Sequence, residues 1–415
     1  MPRSTLLLYT YAFPYGHTEA FLETEIHYLN EVFGTIFIIP SSKPDGKRAI
    51  PDGIKVIDGL SERSAWPAYR KFTHGFLRSI GRQEFWGEIR ANPRLLTKTT
   101  SLYRLINMQG GADYTFRITK NIMEMYGIES SDTVAYSYWL DYYSLGFCRL
   151  KEPVNEIKCV SRGHRFDIYN DLYDPPHIPY QENNLKLLDK MIFISRHGQN
   201  HVTGRYPVSS KKSVISRLGV KDPGFMSAGS GKGELHIVSC SALVPVKRIE
   251  LLVDGLKRLS ESNPEIKIKW THIGDGPLRK DLLEKCKNTL SGAVDYEFTG
   301  QMSNTDVMNM YRSRPVDVLV NVSTSEGIPV TMMEAQSCGI PVCGTDVGGV
   351  NEIADQDNGC LLPADPAPDE IARAVVSFSD PEYRKLKSEK SRLNWENKYN
   401  AEKNYREFST MLSNL

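Results

Sequence analysis

Short apolar runs alternate with helix-length segments from about residue 4 to residue 378, and that rhythm admits few folds. A strand that is apolar on every residue must be covered on both faces, the condition met by a parallel sheet wrapped in helices. In the second half the rhythm is regular. Strands are expected near 235–240, 266–273, 294–299, 317–323, 340–344 and 359–362, each followed by room for a helix. The first half opens alike, with a strand at 4–10, a helix from about 18 to 32 and a strand at 35–39. It resumes with strands at 133–138, 156–161 and 191–195. Between them, residues 60–130 break the pattern and read as a helical insertion.

A chain of 415 residues exceeds what one hydrophobic core usually organises, so two such domains are expected, 1–208 and 209–390. The loop-like run Asp222 to Gly233 marks the linker region or a loop just past it. The final segment, 391–415, reads as one polar helix crossing back to the first domain. Trp395, Tyr399, Tyr405, Phe408 and Leu412 form its apolar stripe. No stretch approaches the roughly 20 apolar residues of a membrane span, and the first ten residues read as a strand rather than a leader. A cytoplasmic protein is therefore expected. The seven cysteines are scattered and form no Cys-x-x-Cys pair, which argues against a disulfide framework or a zinc site. A net charge of +1 carries no nucleic-acid signature.

The most informative segment is Ser325 to Glu334. Val318 to Val322 reads as a buried strand. Gly327-Ile328-Pro329 then turns the chain into a helix with proline at its first position, and Gly339 stops that helix. Glu326 falls in the turn at the carboxyl end of a strand and Glu334 lies about a turn and a half into the helix. Ligands of open α/β sheets bind in that crevice. A carboxylate can accept two hydrogen bonds from a vicinal diol, and a helix N-terminus favours phosphate. Two acids so spaced could hold both ends of a nucleotide sugar. The alternative is an exposed turn glutamate followed by a surface helix glutamate.

The pair resembles the Glu-x7-Glu signature of retaining GT-B glycosyltransferases, family 4 in particular. The resemblance continues through Gly339 to Val342, Gly348 to Ile353 and Asn358 to Leu362. It implies an α/β chain of the GT-B fold, two Rossmann-like domains facing a central cleft. It further implies a sugar moved from a UDP- or GDP-sugar to a glycan or lipid-linked acceptor, with retained configuration and no metal or other cofactor. Glu326 would bind sugar hydroxyls and Glu334 the ribose diol, with the backbone of Gly327, Ile328, Pro329, Val330 and Thr331 near the phosphates. Lys247 matches the lysine that pairs with the diphosphate and helps it leave, although it could be a surface lysine. Gly274, in His272 to Leu278, resembles the strand-to-helix turn of the family, and Gly300, in Phe298 to Gln301, the loop that meets the nucleobase. One departure stands out. The family commonly places an arginine five residues before the lysine, where this chain has Ala242. The adjacent Arg248 is a candidate donor-binding substitute, with a helix-surface role as the alternative.

In the first half, Ser161 to Tyr169 resembles the histidine-containing loop that faces the donor sugar, which makes His164 a candidate catalytic residue. A satisfied structural histidine is the other reading. Gly16, between the first strand and first helix, matches the glycine loop beside the diphosphate. His17 and Glu19 fit a helix start equally well. Residues 66–120 hold ten Lys/Arg against three Asp/Glu, interleaved with Trp66, Phe72, Phe76, Phe85 and Trp86. That mixture suits peripheral contact with an anionic membrane, or else an ordinary insertion with a solvated basic face. Gly229 to Gly233 lacks phosphate-loop spacing, no Gly-x-Gly-x-x-Gly follows the first strand, and Asp355-Gln356-Asp357 lies in a polar turn. Two readings of function remain: a glycosyltransferase, or a non-catalytic sugar-nucleotide-binding partner subunit of a glycosyltransferase complex.

Overall fold

The computed structural model describes residues 3–152 and 156–415. Among these residues the chain divides into two units, Met1–Leu218 with Glu402–Leu415, and Gly219–Ala401.

The amino-terminal unit is built on β1 (Thr5–Thr10), β2 (Thr35–Pro40), β3 (Lys55–Val56), β4 (Thr133–Ser137), β5 (Lys158–Gly163), β6 (Lys190–Phe193) and β7 (Ser213–Ile215). All pair in parallel, in the order β3-β2-β1-β4-β5-β6-β7. Leu6 sits opposite Ile36 and Val134, and each successive residue turns to the other face. Leu6, Leu8, Ile36, Ile38, Val134 and Tyr136 thus join one apolar layer, while Leu7, Tyr9, Phe37, Ile39 and Ala135 join the other. This explains the unbroken apolar runs. The two strands that the sequence did not suggest, β3 and β7, are edge strands of two and three residues whose side chains are not fully buried.

The first helix is Leu22–Val32, starting four positions later than expected. Glu19 takes a left-handed φ of 55°, which no helix accommodates. The insertion contains the helices Ala68–Ser79, Gln83–Ala91 and Thr99–Tyr126, the last stopped by Gly127.

The carboxyl-terminal unit carries β8 (Glu234–Cys240), β9 (Lys267–Ile273), β10 (Val294–Gly300), β11 (Val318–Asn321), β12 (Val342–Thr345) and β13 (Gly359–Leu362), all parallel, in the order β10-β9-β8-β11-β12-β13. Its core includes Trp270, Leu252, Leu256, Val318 and Val320.

Two boundary expectations need correction. The chain leaves the first unit at 218/219 rather than 208/209, because β7 completes the first sheet by pairing with β6. The run 222–233 is a loop just past that boundary, the second of the two places the sequence allowed for it. The end of the chain is also two helices, Pro381–Lys398 and Ala401–Ser413, not one. Asn400 is extended and bridges Val220, whose N–H donates to Tyr399 O at 2.9 Å while Ala401 N–H donates to Val220 O at 3.1 Å. Trp395 and Tyr399 therefore belong to the second unit, and Phe408 and Leu412 pack into the core of the first. No described helix is long and apolar enough to cross a membrane.

Candidate functional site

The strand order of the carboxyl-terminal unit reverses direction between β8 and β11, where the chain winds outward both ways. Open α/β sheets bind their ligands beyond the carboxyl ends of the strands at such a reversal. After β8 the chain makes the turn Pro245–Lys247. After β11 it runs through Val322 to Pro329 into the helix Val330–Ser337. Thr324 N–H donates to Val246 O at 2.9 Å and ties the two segments together.

Lys247 Nζ and Glu326 Oε1 meet across this reversal at 2.5 Å. The same oxygen accepts from Ser323 Oγ at 2.7 Å and from Asn321 Nδ2 at 3.2 Å. Oε2 receives no donor among the described residues. The glutamate is further braced by the loop after β12. Gly348 has φ +57°, and a Cβ there would lie 1.9 Å from Glu326 O, while Gly349 N–H donates to Gly327 O at 2.8 Å. Only glycine can supply both that conformation and that approach.

Pro329 caps the helix from one position earlier than the sequence suggested, so the first helical residue is Val330. The N–H groups of Val330 and Thr331 make no hydrogen bond among the described residues, as expected of a helix start. Glu334, further along, is half-buried and accepts from Asn304 Nδ2 at 2.5 Å. Burial pushes its carboxyl up to about 7, with the Asn304 hydrogen bond pulling the other way.

Gly274 and Gly300 lie at the same rim, where Gly274 N–H donates to Gly300 O at 2.9 Å and joins the turns after β9 and β10. Arg248 is committed largely to the loop itself. Its backbone is left-handed, and its guanidinium donates to the carbonyls of Val322, Ser323 and Ala364 and to Asp365 Oδ1. Those bonds engage four of its five N–H groups in bracing the loop.

Gly16 and His164 belong to the amino-terminal unit. Gly16, in the loop after β1, donates its N–H to Gly46 O in the loop after β2. The His164 ring packs at a tilt against Tyr138 and Trp139 with centroids 4.5 and 4.4 Å away, and neither ring nitrogen has a hydrogen-bond partner among the described residues. The sequence did not reveal what orders this region. Glu19 accepts from the N–H groups of Tyr11, Ala12 and Phe13 at 2.7 to 2.9 Å, and from Trp139 Nε1 at 2.8 Å. It joins the loops after β1 and β4, the reversal point of the first sheet. Asn321 and Ser323 were likewise missed, although their alternation at a strand end just before Glu326 was a readable signal. Among the described residues no group of three or more His, Cys, Asp or Glu is placed to hold a metal ion.

A carboxylate and an ammonium at a sheet reversal, beside uncommitted helix amides, suit a polyhydroxylated anion. Residues 234–380 match the model of the glycosyl transferases group 1. That segment of the carboxyl-terminal unit is similar to the family. Among curated proteins, the chain is 25% identical over 277 residues to an uncharacterised glycosyltransferase of Methanocaldococcus jannaschii, covering 66% of this chain and 72% of that one. It is 26% identical over 228 residues to an O-antigen biosynthesis glycosyltransferase of Escherichia coli, covering 52% and 59%. Of the first such relatives, this chain spans between 32% and 72% of the length. Among solved structures, a lipopolysaccharide outer core galactosyltransferase in its apo form superposes with a TM-score of 0.70 at 15% identity, over 99% of this chain and 100% of that one. The likeness establishes the GT-B fold of two Rossmann-like domains.

Proposed function

We propose that this chain transfers a hexosyl unit from a UDP- or GDP-sugar to a glycan or lipid-linked acceptor in glycoconjugate biosynthesis. The observation that carries the reading is the Lys247–Glu326 pair at the β8/β11 reversal, next to the free amides of Val330 and Thr331. Glu326 offers its unused oxygen to sugar hydroxyls, and Glu334 binds the ribose diol. Lys247 turns to the diphosphate, stabilising charge that grows as the bond between the anomeric carbon and the leaving oxygen breaks. The acceptor hydroxyl bonds that carbon from the same face and its proton passes to the departing phosphate, so configuration is retained without a metal or other cofactor. His164 hydrogen-bonds the transferred sugar. A solved relative whose complex holds UDP and glucose supports the donor class.

The proposal also includes a cytoplasmic location with peripheral contact at an anionic membrane. It is supported by the helix Ala68–Ser79, which faces the wrong way for a buried element. Gly75 and Ser79 point inward, while Tyr69 is 73% and Leu77 69% exposed, with Phe76 and Ile80 also outside. Residues 66–120 keep an excess of basic side chains, ten against three acids, with Asp113 paired to Arg78 and Arg117 and Glu88 to His177.

The test is thermal stabilisation across a panel of UDP- and GDP-sugars. A ligand at 100 times its dissociation constant adds about 2.7 kcal/mol. No shift with any of them would sink the donor reading. Ala242, exposed where the family arginine is absent, favours a second reading, a non-catalytic partner subunit. Slow donor hydrolysis separates the two: an enzyme releases nucleoside diphosphate without acceptor, and a binding subunit does not.

A further inference from the structure

Apart from the rim described above, the amino-terminal unit holds a cavity of about 170 Å³ where the loops leaving β4 and β5 meet the long helix Thr99–Tyr126. Its polar lining includes Arg104, Asn107, Asp141 and Asp167, and its aromatic lining Phe166 and Tyr173. The volume suits a single sugar ring.

These groups divide into spent and unspent. Asp167 is spent: Oδ1 accepts from the His164 and Arg165 amides and Oδ2 from that of Leu140. Asn107 gives its carbonyl oxygen to Arg63 at 2.7 Å, which leaves its amide donors. Asp141 accepts from Tyr143 N through Oδ1 at 2.8 Å, and among the described residues nothing donates to Oδ2. Arg104 lies over the Tyr173 ring, 4.4 Å from its centroid, and among the described residues it makes no hydrogen bond and no ion pair. An arginine left without an anion, a carboxyl oxygen left without a donor and two aromatic rings in one cavity are the complement of a sugar that carries negative charge.

Two further features fit. Burial pushes the Asp141 carboxyl well above the usual range, which disfavours its charged form and lessens its repulsion of an anion. Arg104 also lines an adjoining open groove of about 490 Å³ with Phe72, Thr99, Thr100 and Tyr103. The guanidinium therefore stands at the junction of a polar cavity and a groove walled largely by aromatic rings and threonine methyls.

We propose that these joined cavities are an acceptor subsite for a sugar phosphoester with an apolar tail: the ring in the cavity with its hydroxyls on Asp141 and Asn107, the phosphate on Arg104, the tail along the groove. The word acceptor rests on the glycosyl-transfer reading, and the binding does not. Arginine holds phosphate in a bidentate fork that lysine or an amide cannot reproduce.

The experiment titrates the full chain with galactose 1-phosphate, galactose, inorganic phosphate and octyl phosphate, read by ligand-observed NMR. Saturable binding of galactose 1-phosphate is expected, tighter than that of galactose or inorganic phosphate and competed by octyl phosphate. Arg104→Met should weaken it about tenfold or more. Asp141→Asn, which can still cap its helix, should weaken it less. Stabilisation by UDP should be unchanged in both variants, which shows them folded. Failure of UDP to stabilise the unmodified chain would count against the donor reading alone. The subsite is overturned if galactose 1-phosphate does not saturate, if Arg104→Met binds it equally, or if inorganic phosphate binds as well. Lack of competition by octyl phosphate overturns the assignment of the groove.

Discussion

Lys247 and Glu326 do not play equal parts, and substitution separates them. Glu326→Gln keeps an oxygen for Ser323 and Asn321, so the loop should hold, UDP affinity should change little, and donor hydrolysis should fall by about two orders of magnitude. Lys247→Met removes the phosphate cation, and calorimetric titration with UDP should show affinity reduced about tenfold or more. Glu334 provides a pH test. Its folded carboxyl holds a proton to about 7 where the unfolded chain releases it near the ordinary 4.5. The resulting stabilisation is complete below about 4.5 and lost as pH rises through about 7. Glu334→Gln should therefore gain about 1 kcal/mol over the parent at pH 8, discounted because the residue is half-buried, and gain nothing at pH 4.5. A diol needs the charged form, so UDP should bind the parent more weakly at about pH 6 than at about pH 8, and Glu334→Gln should lose that dependence. The Glu326 and Glu334 positions were legible in the sequence because a strand, a turn and a helix follow one another within a few residues. Glu19 was not. Its neighbours in sequence say helix start, whereas its partners are three amides behind it and Trp139 on another strand end.

The strands were the most legible elements, since runs such as Leu6-Leu7-Leu8-Tyr9 have no polar face to spare and fit only a covered sheet. The insertion was legible as basic and aromatic but not as to which face goes where. That depends on Gly75, where a Cβ would come within 2.4 Å of Ile106 O, so the helix Ala68–Ser79 lies flush on Thr99–Tyr126 by its small residues. Its large side chains are left outside. Vesicle flotation tests the face: Leu77→Glu should lower binding to anionic vesicles severalfold with the melting temperature within about 1 °C of the parent. Gly75→Leu should instead cost about 2 kcal/mol or more of stability by prising the two helices apart. Equal flotation of Leu77→Glu and the parent, or no flotation of the parent at low salt, would remove the membrane contact.

At the scale of the whole chain, the sequence showed two doubly wound halves but misplaced the crossings. Loop-like composition at 222–233 is a local signal. The true crossings are set by pairings distant in sequence, β7 with β6 and Asn400 with Val220. The second crossing returns Glu402–Leu415 to the amino-terminal unit. There Phe408 meets Tyr136 with centroids 5.3 Å apart, Leu412 is fully buried, Arg406 pairs with Glu31 at 2.6 Å, and Arg3 N–H donates to Ser413 O at 2.7 Å. Phe408 also covers the guanidinium of Arg162, which is buried with Glu25 at 2.6 Å. Losing two such apolar side chains forfeits about 3–6 kcal/mol, and wetting a buried ion pair from one side loosens it further. That total rivals the 5–15 kcal/mol stability typical of a whole domain. A chain ending at Ala401 keeps Asn400 on Val220, so the carboxyl-terminal unit retains its own closure. Calorimetry of this truncation should show the amino-terminal transition lowered by many degrees or lost, with a second transition still raised by UDP. A single unshifted transition would mean that the last helix contributes little. Loss of both transitions would mean that the carboxyl-terminal unit depends on the helix as well.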